Sequence, residues 1–227
     1  MHGNKILRKI AKSRDDESLC DLQIVCGKRR FNAHRYVVAL NSSVIKKACL
    51  EPCKEGTSSV YEIKNFSSVL VERMLDYMYT GTYDELPSKS PAKEGEEPTQ
   101  KAAKLSPAAH VMLHAKMMEL GDTYKVEGLS QHASERFETL IAPETTRNLV
   151  VDIVPKVYAL KFPSSTKIRE IVVLSLMEKN YPPPLKTDIV EMMAEAARVV
   201  PQFGNDMFMS YCKFIPTYSH WAAQCRT

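Results

Sequence analysis

The sequence predicts an α+β fold: a small, mainly three-stranded sheet covered by helices, followed by an all-helical extension. Three observations carry this. Alternating apolar and polar residues occur only in short runs between Leu19 and Lys64, and a period of two marks half-buried strands. From Ser67 onward apolar residues recur three and four apart, which is helical spacing. Three or four short strands cannot form an extensive sheet, so helices must cover it.

Each element follows from its residues. Lys5 to Ser13 reads as a short amphipathic helix with Ile6 and Ile10 four apart, ended by Asp15, Asp16 and Glu17. Leu22 and Ile24 alternate with Asp21 and Gln23 as a strand, and Gly27-Lys28 turns the chain into a second strand with Phe31 and Ala33 on one face. Arg35 to Leu50 reads as helix with Val37, Leu40, Val44 and Ala48 on one face, interrupted at Asn41-Ser42-Ser43, with Ser42 capping its second half. Val60 to Lys64 is the third strand. Ser67 to Thr80 is a helix with Leu70, Met74, Tyr77 and Met78 in register, stopped by Gly81. Residues 84–107 hold Pro87, Pro91, Pro98 and Pro107 among mixed charges, the composition of a flexible surface insertion. Helix resumes at Ser106-Pro107, a cap followed by proline at the first helical position, with Ala109, Met112, Leu113, Met117 and Leu120 facing a core. Another helix carries Leu129, Ala133, Phe137 and Leu140. Beyond Glu144 four helical patterns follow, around Ile153, Val172, Met192 and Phe203, with Pro155 expected to kink or end the first of them.

In this order the residues resemble a known family. Asp21-Leu22-Gln23-Ile24 looks like the opening strand of BTB/POZ domains, and Phe31-Asn32-Ala33-His34-Arg35 resembles their strand-to-helix junction. Leu75-Asp76-Tyr77-Met78-Tyr79-Thr80-Gly81-Thr82-Tyr83 is similar to the L-x-Y-x-Y-T-G-x-Y signature, the most specific of the motifs. His114-Ala115 and Leu120-Gly121-Asp122-Thr123-Tyr124 look like the paired helices that close the domain. The chain departs from the pattern at Ser43, where proline is usual, and at Ile45, near which an aromatic is usual. The resemblance implies a BTB/POZ domain over residues 1–141 and a helical extension over 142–227 similar to the BACK-type helices of larger relatives. It is the pattern of stand-alone BTB proteins abundant in filamentous fungi.

The resemblance further implies a protein-binding platform that self-associates, docks a cullin-type ubiquitin ligase scaffold, or does both. Its alternative is a scaffold or transcriptional co-regulator with no cullin role. Cullin-binding members carry an apolar-x-Glu element before the third strand, which falls here on Cys53-Lys54-Glu55; Tyr83, at the end of the signature, joins that candidate set. Cysteine in the apolar slot buries less area than Met or Leu, weakening such a contact by roughly 1 kcal/mol. An ordinary polar loop is the other reading. Ile6, Leu7 and Ile10 are the candidate dimer element or the inner face of a helix folded back on its own domain. Asp21 and Arg35 correspond to residues that line a charged pocket at the dimer groove, and Asp21 also lies within reach of His34. Longer members exchange a strand ahead of the first helix, for which few residues stand here.

Other functions find little footing. The chain is 44% hydrophobic and 26% charged with net charge +4, the composition of a globular protein. Lys5, Arg8, Lys9, Lys12 and Arg14 concentrate the positive excess, as a face for an acidic partner or a solvated helix face. Nucleic acid is not an expected partner. No phosphate-binding, nucleophile-elbow or H-E-x-x-H motif occurs, and eight glycines leave little room for a phosphate cradle. No enzyme activity and no cofactor are expected. His110 and His114 stand four apart, but no third ligand is evident in the sequence, so no metal site is expected. Cys20, Cys26, Cys49, Cys53, Cys212 and Cys225 form no C-x-x-C pair and read as reduced thiols. Without a signal-peptide or membrane-spanning pattern, the expected location is the cytoplasm, the nucleus, or both. Ser90-Pro91 and Ser106-Pro107 fit proline-directed phosphorylation.

Overall fold

The computed structural model describes residues 2–50, 59–85, 106–141, 147–180 and 187–224. By compactness it divides into two units, residues 1–106 with 116–133, and residues 107–115 with 134–227.

The first unit is built on a three-stranded sheet of order β2-β1-β3. Strands β1 (Leu22–Cys26) and β2 (Arg29–Ala33) pair antiparallel, with Cys26 opposite Arg29 across a two-residue turn. Gly27 opens that turn at φ +58, a conformation open to glycine at little cost. Strand β3 (Val60–Glu62) runs parallel to β1 on its other side, shorter than the Val60–Lys64 run in the sequence. As the alternation predicts, Leu22, Ile24, Phe31 and Ala33 are buried.

Helix α1 (His2–Lys12) precedes the sheet; α2 (Arg35–Asn41) and α3 (Ser43–Leu50) follow β2, and α4 (Ser68–Thr80) follows β3. Ser67 caps α4 and Gly81 ends it at φ +74, as their residue types predict. Val71, Met74, Leu75, Met78 and Tyr79 of α4 are buried, and both α1 and α2 pack against it.

The break between α2 and α3 is where the sequence places it, but it turns the faces of both helices. The reading that put Leu40 on the core stripe is corrected here: Val38, Ile45 and Cys49 are buried, whereas Leu40 is 60% exposed. A single helical period was extended across residues that do not form one helix. Ser42 sits between them in extended conformation. Its buried hydroxyl donates to the Tyr124 carbonyl and accepts from the Ile45 N–H at 3.1 Å. Beside it, Glu127 N–H donates to the Asn41 carbonyl at 2.9 Å. One hydroxyl therefore caps α3 and ties the break to the end of α5 (Pro107–Tyr124).

Helices α5 and α6 (Leu129–Ile141) contribute residues to both units. In α5, Leu113, Met117 and Leu120 are buried as expected, while Ala109 is exposed. The rest of the second unit is helical: α7 (Arg147–Tyr158), α8 (Ser165–Asn180), α9 (Thr187–Val199) and α10 (Pro201–Gln224). Pro155 lies inside α7, whose last turn continues past it. Helix α7 packs on α8, α9 and α10, and α10 packs on α8 and α9. Ile153, Val157, Ile168, Val172, Met192 and Phe203 fill the interior of this bundle.

Replacing Ser42 with alanine leaves the Tyr124 carbonyl without this donor and removes the cap of α3. A loss of about 2 kcal/mol in unfolding free energy is expected, read by urea denaturation, with a much smaller loss for the exposed Ser43→Ala control.

Candidate interaction surface

The candidate residues of the first unit are of two kinds: exposed apolar side chains on helices α1 and α2, and a polar network that joins the ends of the elements around them. Ile6, Leu7 and Ile10 of α1 are exposed, Ile6 at 54%, although α1 itself packs against α4. The helix thus folds back on its own domain and still offers an apolar stripe. Helix α2, which also packs on α4, adds Tyr36 at 74% exposure and Leu40 at 60%. The sequence does not single out Tyr36 and sets Leu40 on the core stripe; their i, i+4 spacing is the signal for a shared side of the helix.

The polar network begins with Asp21. Its carboxylate accepts from the backbone N–H of Arg35 at 2.6 Å, at the first residue of α2, where an anion meets the positive end of the helix. The Arg35 guanidinium turns to the Cys49 carbonyl at 3.2 Å. Asp21 and Arg35 are therefore neighbours, joined through backbone.

His34 bonds elsewhere. Its backbone N–H donates to the Tyr79 hydroxyl at 2.8 Å, and its Nδ1 lies 2.9 Å from the same oxygen. Ser13 Oγ gives its own proton to the Ile10 carbonyl at 2.8 Å and so accepts from Nε2 at 3.3 Å; the tautomer that fits carries its proton on Nε2 and accepts from the Tyr79 hydroxyl at Nδ1. This chain of bonds fastens the end of α1 to β2 and α4. Burial pushes the Tyr79 hydroxyl pKa upward, so it stays a neutral donor.

Arg14 completes the junction. It lies over the Tyr79 ring at 5.0 Å and meets Asp76 at 3.0 Å. Burial nevertheless raises the Asp76 pKa above the ordinary carboxylate value, outweighing the hydrogen bond and charge of Arg14. A second pair, Arg29 with Glu72, is bidentate at 2.9 Å on both arms, the geometry that makes Arg–carboxylate pairs specific.

Two tyrosines of the signature remain, Tyr83 buried and Tyr77 half-buried. Tyr83, a candidate for partner contact, is 2% exposed and packs edge-on against His132 at 5.5 Å. Tyr77 also stacks with His132 at 5.5 Å. The Tyr77 hydroxyl sits so close to Gly128 that a Cβ there would approach it to 2.6 Å, and Gly128 has φ +73 besides. Buried Arg73 donates to the carbonyls of Asp84 and Glu85 at 2.8 and 2.9 Å, fixing the chain just after the signature. Cys53 and Glu55 lie outside the described residues, as do Ser90 and Pro91. Ser106 is exposed immediately before α5. In the second unit, the His110 and His114 rings lie 5.6 Å apart, His114 buried and His110 half-buried.

A small mixed sheet, helices packed on α4 with apolar side chains left outward, and a polar network that joins α1, β2 and α4 fit a protein-interaction module. The family model "BTB/POZ domain" matches residues 10–94, and this part of the chain is a BTB/POZ domain. Curated relatives match over stretches of about that length. "Zinc finger and BTB domain-containing protein 14" of Homo sapiens is 35% identical over 79 residues, covering 35% of this chain and 17% of the relative. "Zinc finger and BTB domain-containing protein 7A" of Mus musculus is 32% identical over 81 residues, covering 36% of this chain and 14% of the relative. The likeness thus spans less than a fifth of either relative's length. Among solved structures, the "BTB domain of zebrafish PATZ1" matches 61% of this chain and 92% of its own length, at 15% identity and a TM-score of 0.43.

The direction of the Asp76 shift fixes a pH dependence. A carboxyl whose folded pKa is raised binds its proton more tightly in the native state, so the stability it contributes is present at low pH and lost as pH rises through the folded value. Asp76→Asn, which keeps the shape and stays neutral, is expected to flatten that fall. At neutral pH it should change stability by no more than about 1 kcal/mol despite breaking an ion pair. Denaturant titrations of both proteins between acidic and neutral pH check this; a loss that grows as pH rises would contradict it.

Proposed function

We propose that this protein is a BTB adaptor that self-associates through the α1–α2 face and docks a cullin-type scaffold through the Cys53-Lys54-Glu55 segment. The observation that carries the self-association half is the apolar stripe of Ile6, Leu7 and Ile10, together with Tyr36 and Leu40, exposed on two helices that pack on the same buried helix α4. Fully burying a Leu- or Ile-sized side chain is worth about 1.5–3 kcal/mol. Several from each copy offset an association cost of about 4–15 kcal/mol with a modest surplus. A dimer of micromolar affinity is therefore the expectation. The α2 N-terminus beside that face, with Asp21 and Arg35, supplies polar neighbours.

The cullin half rests on the resemblance of residues 53–55 to the apolar-x-Glu element. Tyr83 belongs to it as buried support rather than as a contact. The helices of residues 142–227 are read as a BACK-like extension that supports the docked scaffold, and residues 1–141 as the BTB/POZ domain. No described helix is long and apolar enough to cross a membrane, and the proposed location is cytoplasm or nucleus. The second reading is a scaffold or transcriptional co-regulator without a cullin role. What favours it is that the relatives above are by name zinc finger and BTB domain-containing proteins.

Light scattering across micromolar concentrations tests self-association. A mass rising toward twice that of the monomer is expected, returning to the monomer value when Ile6, Leu7 and Ile10 are all changed to serine; a monomer at every concentration refutes it. Calorimetric titration with the N-terminal half of the BTB-binding cullin from the same organism tests docking. Micromolar binding lost in Glu55→Lys supports the adaptor. An affinity that Glu55→Lys leaves unchanged removes this segment from the site, and no heat at high concentration favours the scaffold reading.

A further inference from the structure

Beside helix α1 the first unit holds a cavity of about 360 Å³, at the small end of the sizes that take a ligand. Leu7 and Arg8 of α1 form one side of it. Asp76 and Thr80 of α4 form another, and the chain just past the end of α4 completes it with Thr82, Tyr83 and Asp84. Thr82 and Asp84 are exposed at the rim, whereas Tyr83 is buried. Leu7 belongs both to this cavity and to the exposed apolar stripe it shares with Ile6 and Ile10. Whatever covers the stripe therefore meets the edge of the cavity.

The lining selects by chemistry. Its two carboxylates are matched by two guanidinium groups: Arg8 lines the cavity with them, and Arg14 holds Asp76 at 3.0 Å. A charged side chain of either sign gains little net attraction from such a balance and still loses its water. A wholly apolar one suits Leu7 and leaves the polar groups opposite without a partner. What fits is an uncharged side chain with a flat apolar body and one hydroxyl, which both donates and accepts.

Tyr36 is such a side chain. At 74% exposure it is the most exposed of the large apolar side chains described, and it stands on α2, outside the cavity of its own chain. In a two-fold dimer any contact of one copy with a site on the other is repeated in reverse. A protruding tyrosine on α2 and a recess beside α1 are thus matched twice by a single axis. An aromatic side chain buries about 150–250 Å². Two of them, with the recesses they fill, supply on the order of 600–1,000 Å², about half of the 1,200–2,000 Å² that a stable interface needs.

We infer that in the self-associated protein Tyr36 of each copy enters the cavity of the other, with its ring against Leu7 and its hydroxyl among Arg8, Thr82 and Asp84. This rests on the self-association reading above and names the contact that carries it. A tyrosine seated in a recess is the kind of anchor that holds most of the binding energy of an interface.

Sedimentation equilibrium of the full chain tests it with two variants and their mixture. Tyr36→Ser removes the anchor, and Thr82→Arg fills the mouth of the cavity. Both positions are exposed, and circular dichroism verifies that each variant is folded. Each alone should dimerise at least about tenfold more weakly than the unaltered chain. In an equal mixture, a Thr82→Arg copy still offers Tyr36 to the open cavity of a Tyr36→Ser copy, so one of the two contacts is restored. The mixture should therefore associate more tightly than either variant alone, by more than mixing statistics allow. A mixture no tighter than its components, or a variant that dimerises as the unaltered chain does, overturns the proposal and leaves self-association standing. A monomer from the unaltered chain at every concentration overturns both.

Discussion

The first unit depends on keeping water from α4. That helix buries residues on more than one side, from Val71 through Tyr79, so it cannot be stable in the open. Helices α1 and α2 form part of its cover. Its one buried charge, Arg73, is satisfied by backbone carbonyls rather than by a carboxylate, and burial works against that charge. A guanidinium accepts this because it spreads its charge over several donors. Short helices packed by one side on α4 have another side left over, and on that of α1 the apolar Ile6, Leu7 and Ile10 stand exposed among Arg8, Lys9 and Lys12.

The tyrosines of the signature show how a recognition motif and a recognition surface can differ. Tyr77 closes on Gly128, Tyr79 holds His34, and Tyr83 packs on His132. These three contacts lie within the first unit. The motif identifies the fold because these packing demands are hard to meet in another way, while the residues that face outward, such as Tyr36 and Leu40, belong to no pattern.

Much of the fold was legible because it rests on local rules. Strand alternation, the Ser67 and Gly81 caps of α4, the Ser42 break and the helical periods of the tail all required only neighbours in sequence. The misreading of Leu40 arose where two local rules met: a helical period and a capping residue that interrupts it. The Asp21–Arg35 pairing was legible as proximity but not as chemistry, since nothing in a sequence says that a carboxylate will choose a backbone N–H over the imidazole of the preceding residue. The Tyr158–Asp206 hydrogen bond was not legible at all, because its partners stand 48 residues apart.

The thiols have a consequence of another kind. Cys26 and Cys49 are buried, burial pushes both of their pKa values up, and the Cys26 thiol donates to the Phe66 carbonyl. Only a thiolate reacts readily with an alkylating reagent, and neither sulfur reaches solvent in the closed form. Each is therefore a built-in clock for its own neighbourhood: the sheet must open before Cys26 can be modified, and α3 before Cys49. Comparing the two rates would show whether this unit comes apart all at once or from the α3 side first.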